Sequence, residues 1–425
     1  MKGKIIYAID FGTSNSLLAA ATADSTGKPI PLDFGHSDPT VMRSTMYFSK
    51  RDSVWFGEDA IRTYLIESGE GRFIRSIKKF LPSTNFSSTQ IGTKAYTLED
   101  LIGRFLREMK LRADRHFNHD VRSVVLGRPA RFSNAQKAED LAQQRLQRAA
   151  AAAGFEEIHF FPEPLAAAFD YRQGLVEEKL VLIVDLGAGT SDFTVIRLKP
   201  DSFESDDVLS LGGISVAGDA LDGSIMAGKI APHFGSQVKY RLPMSSNVLT
   251  MPADLRFRLS SPADITLMSK SDIMGFLEEV NRCTIDKKDS ERLDRLFTLI
   301  DENLGFAVFD EIEACKRAVC EGTRGLFQFR HPDIQIQEDL SAEEFEALSE
   351  VKIRSIFSTM DQVISASGVC PTDIDLICCT GGTSKVPAVR SHLMRRFGVD
   401  KIRTLQSFHS VIQGLAERAR DLLRV

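Results

Sequence analysis

The stretch LIVDLGAGTSDFTVIRL, residues 182–198, sets two glycines and two aspartates between two apolar runs, and its reading decides the fold. Gly187-x-Gly189 matches the opening of a dinucleotide fingerprint, but the third glycine of that pattern falls at position 192, which is Asp192. The fingerprint also needs a helix after its turn. Phe193, Val195, Ile196 and Leu198 favour a strand and lack helical spacing. The stretch reads as strand, glycine turn, strand. Such a hairpin still suits phosphate, because Gly187 and Gly189 allow a tight turn whose successive N–H groups point into one concavity. Asp185, at the end of the first strand, is placed to hold hydrated Mg²⁺ beside a phosphate. An ordinary hairpin turn accounts for the same residues.

The chain opens on the same pattern. In IIYAIDFGTSNSLLAAAT, residues 5–22, an apolar strand runs into Asp10-Phe11-Gly12 and a second apolar segment follows, matching Asp185-Leu186-Gly187. Two like hairpins at the heads of two stretches predict a pseudo-duplicated α/β protein, each half giving one phosphate loop, with the active site between the halves. A third glycine site comes late. IDLICCTGGTSKVPAVRSHLMRRFG, residues 374–398, reads as a strand, a Gly381-Gly382 turn and a helix whose N-terminus can face an anion or a nucleoside.

Helices fill the intervals. TLEDLIGRFLREMKLRADRHF, residues 97–117, begins with a capping box from Thr97 to Asp100 and places Leu98, Leu101, Ile102, Phe105 and Met109 on one face. SNAQKAEDLAQQRLQRAAAAAG, residues 133–154, shows Ser133 and Gln136 in the same relation and stops at Gly154. VRSVVLGRP, residues 121–129, reads as a buried strand, and IHFFPEPLAAAFDY, residues 158–171, as a strand entering a helix through Pro162 and Pro164. From about 235 to 300 the pattern loosens into a mostly helical lobe, with a helix predicted around Lys287 to Ile300.

The 425 residues fit two to three domains or one bilobed protein, and 43% hydrophobic with 26% charged residues provide for a large core. A formal charge of -5 argues against a general nucleic-acid or anionic-membrane surface. Cysteines at 283, 315, 320, 370, 378 and 379 show no paired zinc-site spacing, so reduced thiols are expected, with Cys378 and Cys379 packed in a strand. With no signal-peptide core and no apolar run long enough to cross a bilayer, a cytoplasmic protein is the expectation.

Taken together, the three glycine sites resemble the actin-like ATPase superfamily, and within it the nucleotide-binding domain of Hsp70 chaperones, in the short bacterial form of YegD type. AIDFGTSNS looks like the first phosphate loop, FFPEPLAAAFDY the first connecting segment, VDLGAGTSDF the second phosphate loop, and CCTGGTSKVPAVR the adenosine motif. VVLGRPARF resembles the strand and turn before the first connecting segment, SIKKFL the lysine-bearing segment, and EACKRAVC the adenine-clamping helix. The resemblance spans roughly residues 5 to 420 and is weakest between 235 and 300. It implies a bilobed actin-like fold of two ribonuclease H-like subdomains with a helical insertion: residues 1–178 form one lobe, and 179–425 the other, the insertion covering about 225–320.

The same resemblance implies a slow, Mg²⁺-dependent ATPase of chaperone type. Asp10 and Asp185 would order the waters of the metal. Gly12, Thr13, Ser14 and Asn15, with the turn Gly187, Ala188, Gly189 and Thr190, would hold the phosphates. Glu163 would position the attacking water and Lys78 would stabilise charge on the γ-phosphate, with Asp185 and Thr190 counted among the catalytic groups. Glu313, Lys316 and Arg317, at i, i+3 and i+4, would bond ribose and stack on adenine, beside Gly218, Gly381, Gly382 and Lys385. Plainer readings exist for each: Glu163 can complement a helix N-terminus, Lys78 can belong to a solvated basic face from Arg72 to Lys79, and Glu313–Arg317 can be a surface ion-pair ladder. Ala188, Leu165, Cys320 and Lys385 depart from the family's usual glycine, threonine, serine and arginine, and lysine lacks the planar fork for stacking.

The expected partners are adenine nucleotide and, through the lobe surfaces, a client protein or cochaperone, with neither nucleic acid nor membrane. Because the nucleotide fold takes up nearly the whole sequence, the expectation is that unfolded apolar peptides are not held as in a longer chaperone. Leu242, Met244, Val248, Leu249 and Met251 are the candidate apolar surface if a client binds, or else packed interior. A nucleotide-dependent scaffold without hydrolysis and an actin-fold small-molecule kinase are the alternative functions.

Overall fold

The computed structural model of the protein describes residues 4–51, 53–67, 71–133, 135–172, 175–200, 205–262, 264–322, 324–404 and 409–424. Two units are distinguished. Met1–Thr63, Ile74–Gly218 and Ile353–Val425 make up the first, and Tyr64–Phe73 with Asp219–Lys352 the second.

In the first unit the apolar runs pair as strands. One sheet contains β1 (Ile6–Phe11), β2 (Asn15–Ala21), β3 (Met42–Arg43), β4 (Ser123–Arg128) and β5 (Glu157–Pro162), in the order β5-β4-β1-β2-β3. The other contains β6 (Lys179–Leu186), β7 (Ser191–Leu198), β8 (Val208–Ile214), β9 (Leu376–Thr380) and β10 (Ile402–Thr404), in the order β8-β7-β6-β9-β10. Each sheet places its first strand centrally, antiparallel to the second and parallel to the fourth. The duplication expected from the two Asp-x-Gly hairpins is therefore a shared topology. Asp10 and Asp185 are each the penultimate residue of their sheet's central strand.

These central strands are apolar on both faces, as strands covered on both sides require. Tyr7, Ile9 and Phe11 face a cluster with Leu101, Ile102, Phe105 and Met109 of the helix Leu98–Phe117. Ile6 and Ala8 face the opposite cluster, with Ala166–Ala168, Ile412, Leu415 and Ala416, which also contains Val181, Ile183 and Cys378. Buried Cys378 and Cys379 thus pack in β9 as expected.

Thr97 caps the helix Leu98–Phe117 with the predicted reciprocal bonds to Asp100. The predicted cap at Ser133 does not form. The next helix starts at Gln136 with Ala135 as its cap, and the Ser133 hydroxyl accepts the Ala135 N–H instead. Glu139, one turn in, accepts the N–H groups of Phe132 and Ser133, which lie ahead of the helix, and so fixes the incoming chain without capping the first turn. Gly154 follows that helix at φ +102°, where a helix stop needs glycine.

The second unit is mostly helical, as the loosened pattern suggested, with helices Ala253–Leu259, Ser271–Arg282, Lys287–Asp301 and Gly305–Glu321. Arg324–His331 and Ile334–Ser341 form a hairpin against Gly305–Glu321, so close that a Cβ on Gly325 would lie 2.4 Å from the Cys315 carbonyl. The apolar candidates at 242–251 divide. Met251 is core, while Met244, Val248 and Leu249 are exposed.

Candidate functional site

The ends of β1, β6 and β7 bring acidic side chains together because each hairpin carries its aspartate beside its turn. Asp185 pairs across the ladder with Asp192, so the residue that broke the dinucleotide fingerprint belongs to the site. Glu163, first residue of the helix Glu163–Arg172, takes the Lys78 ammonium at 2.7 Å, and both are buried. Lys78 is thus neither on a solvated face nor unpaired. It sits in a short 3₁₀ turn, Ile77–Phe80, after Ser76 at φ 52°.

The charges explain one another. Burial, then Glu163, pushes Asp10 up to about 7 against the pull of Lys78. Burial and Glu163 likewise bring Asp192 to about 7, opposed by the Thr190 hydroxyl. Burial, then Asp192, Glu163 and Asp10, raises Asp185 well above the usual carboxylate range. Burial works against the Lys78 charge, but Glu163 and Asp10 outweigh it and raise that group. Four carboxylates therefore share one ammonium in this group of described residues. They are short of positive charge.

Around them stand the glycine turns. The Gly187 N–H donates to the Thr190 carbonyl at 3.0 Å, and the Gly187 carbonyl accepts the Thr383 hydroxyl at 2.7 Å and the Gly218 N–H at 3.3 Å. A Cβ on Gly189 would lie 2.6 Å from the Thr13 hydroxyl, so the two phosphate turns abut. Gly381, at φ 78°, approaches so closely that a Cβ would lie 2.1 Å from the Leu186 carbonyl. The structure thus unites Thr13 of the first turn, the second turn, Gly218 and the Gly381-Gly382 turn. Lys385 closes a 3₁₀ turn after Gly381 and is exposed.

Three residues of this region escaped the sequence reading. Asp192 accepts the Ala130 N–H at 2.9 Å, which ties β7 to the turn after β4. Ser44 donates its N–H to the Ser14 carbonyl and its hydroxyl to the Gly12 carbonyl, both at 2.8 Å, bracing the first turn. Thr383 holds Gly187. The pairing of Asp192 with Asp185 was readable from the hairpin, but the contacts of Ser44 and Thr383 are tertiary.

In the second unit, Glu313, Lys316 and Arg317 share the helix Gly305–Glu321 as predicted. Lys316 is not part of a surface ladder: its ammonium is 2.8 Å from Asp222, and both side chains are largely buried. Arg317 is exposed.

A match to the Hsp70 protein family covers residues 72–241 and 312–422. The chain belongs to the Hsp70 family. Its fold is accordingly the actin-like ATPase fold expected from the paired hairpins. Hsp70 relatives include "Chaperone protein DnaK" of Thermosipho africanus, 26% identical over 425 residues, and that of Thermosipho melanesiensis, 25% identical over 425 residues. The protein of the same name from Thermotoga petrophila is 25% identical over 422 residues. In each case 99% of this chain is aligned, and the chain spans 60% of the relative's length. Among the described residues no helix is long and apolar enough to cross a membrane.

Proposed function

We propose that this Hsp70-family chain binds Mg²⁺ and ATP, hydrolyses ATP slowly in the cytoplasm, and presents nucleotide-dependent closure of two lobes, 1–178 and 179–425, to a client or cochaperone. The observation that carries the reading is the buried group of Asp10, Glu163, Asp185 and Asp192 around Lys78, beside two abutting glycine turns. The matching strand orders of the two sheets support the division into lobes.

The donor set fits Mg²⁺. Its oxygens are hard ligands, and burial with the neighbouring carboxylates raises Asp10 and Asp185, a crowding of negative charge that a divalent cation would offset. Asp10 and Asp185 would hold the ion through its waters. Bound there, it would offset the charge of the phosphates. The turns Gly12–Asn15 and Gly187–Thr190 take the β- and γ-phosphate oxygens through N–H groups other than that of Gly187, whose own N–H closes the second turn on the Thr190 carbonyl. Lys78 supplies positive charge to the γ-phosphate. Glu163 fixes the Lys78 ammonium and accepts a hydrogen bond from the attacking water, orienting it for in-line displacement. Glu313, Lys316 and Arg317 with Gly218, Gly381, Gly382 and Lys385 are the nucleoside contacts of this proposal. Exposed Lys385 makes a weaker stacking partner than arginine.

The experiment is to measure ATP binding and phosphate release separately. Binding with Mg²⁺-dependent release supports the proposal. Binding without release leaves a nucleotide-dependent scaffold, and transfer to an added small acceptor in place of water identifies a kinase.

A further inference from the structure

Arg145 is buried on the helix Gln136–Ala152, on the face that also buries Ala142, Leu146 and Ala149. A charge in an apolar stripe needs partners, and Arg145 finds them along one neighbouring segment of main chain. Its Nη1 lies 3.2, 3.1 and 2.7 Å from the carbonyl oxygens of Phe80, Leu81 and Ser83, and its Nη2 donates to the Phe86 carbonyl at 2.7 Å. Glu99 stands 3.8 Å from its Nε and balances the charge. The planar fork of arginine, with five donors, suits this task, whereas a lysine ammonium has three and no fork. Phe80 and Leu81 end the turn that carries Lys78. The Leu81 N–H donates to the Lys78 carbonyl at 3.1 Å, and the Ser83 N–H to the Phe80 carbonyl at 3.0 Å. At its other end the turn leaves Ser76 at φ 52°, a left-handed conformation that residues other than glycine keep only where the surroundings hold it. The Lys78 turn thus runs from a strained end to a clamped one.

We propose that Arg145 is a positioning residue for ATP hydrolysis, acting through Lys78. The proposal rests on the hydrolysis reading above and adds to it the group that fixes where its lysine starts from. The bond to Glu163 sets the distance of the ammonium from one carboxylate at 2.7 Å, but it does not set the place of the turn that carries this long side chain. The carbonyl bonds of Arg145 do, because the chain from Phe80 to Phe86 cannot move without breaking them. Without the guanidinium these buried carbonyls lose their donor, the turn is freed at its clamped end, and the ammonium spreads over several positions. Phosphoryl transfer tolerates such spread poorly, since positioning supplies much of its rate. Nucleotide binding, shared among the N–H groups of two turns, tolerates it better.

The test measures single-turnover phosphate release and the ATP dissociation constant, both in Mg²⁺, for the full chain, for Arg145→Gln, Arg145→Lys and Lys78→Ala, and for Lys78→Ala carrying Arg145→Gln as well. All are read at a temperature where circular dichroism shows each one folded. Arg145→Gln should release phosphate at least about tenfold more slowly than the parent while its dissociation constant stays within about threefold. Arg145→Lys, which keeps the charge with fewer donors, should fall between the two. Added to Lys78→Ala, Arg145→Gln should cost no further turnover, because its effect runs through the lysine. A merely structural arginine would leave release by the folded variant unchanged, weaken binding and release together, or add its loss to that of Lys78→Ala, and each of these overturns the proposal. If Arg145→Gln does not fold, Arg145→Lys carries the test, and release at the parent's rate again overturns it. A parent that hydrolyses ATP beside an equally active Arg145→Gln refutes the positioning role alone. A parent that binds ATP without releasing phosphate refutes the hydrolysis reading, and the positioning role with it.

Discussion

Lys78 and Glu163 bury opposite charges 2.7 Å apart, and removing one partner of such a pair leaves the other uncompensated, at about 3–5 kcal/mol. Lys78→Ala and Glu163→Ala should therefore melt earlier than the parent. They should also keep ATP while losing roughly 10²-fold or more in turnover, because their contribution is greatest in the transition state. Single-turnover phosphate release beside equilibrium binding separates the two effects, and parent-like turnover in both variants would remove the catalytic assignment. Asp192 gives a pH test with a definite sign. Its folded proton affinity, raised to about 7, exceeds the unfolded one, so the folded state holds the extra proton between about pH 4 and 7. The parent loses stability from this group as pH rises through that window. Asparagine does not titrate, so in EDTA the Tm of Asp192→Asn relative to the parent should rise by about 2 °C or more from pH 4 to 7 and then level off. A flat difference would show that the carboxyl is not so shifted. Neither residue's burial was legible in the sequence. Lys78 lies in a basic run that suits a wet surface as well as a site, and only tertiary packing decides between them.

Secondary elements were more legible where their signals are local. The two hairpins and the Thr97 box follow from residues adjacent in sequence, whereas Ser133 forms no cap and Glu139, one helical turn in, fixes the chain ahead of the helix instead. Helix packing shows the same limit at Gly414. Within the helix His409–Leu422, alanine is favoured over glycine by about 1 kcal/mol on propensity alone. A Cβ at 414, however, would lie 1.9 Å from the Ala166 carbonyl of the neighbouring helix. Overpacking of this kind costs about 1–3 kcal/mol, so Gly414→Ala should lower the urea midpoint despite the better propensity. A raised midpoint would mean that the helices separate freely. Thiol chemistry checks the strand β9 in the same way. Burial pushes Cys379 up to about 12 and Cys378 beyond the usual range, which depletes the reactive thiolate. Iodoacetamide at pH 8 should modify exposed Cys370 at least tenfold faster than Cys378 or Cys379 until the chain is unfolded.

Over the whole molecule, duplication was readable because each half repeats an aspartate and a glycine turn after an apolar strand, and the two sheets share one strand order. The second unit was read only as helical. Its Asp222–Lys316 pair joins residues 94 positions apart without a motif to announce them. The central claim, that the carboxylates gathered at the paired hairpins serve Mg²⁺-dependent ATP hydrolysis, is tested most directly by phosphate release from ATP. The measurement compares the parent and Asp185→Ala, each in Mg²⁺ and in EDTA. The account predicts slow release by the parent in Mg²⁺ and at least a roughly 10²-fold loss both in EDTA and on substitution. Equal release by the parent in EDTA, or by Asp185→Ala in Mg²⁺, would contradict it.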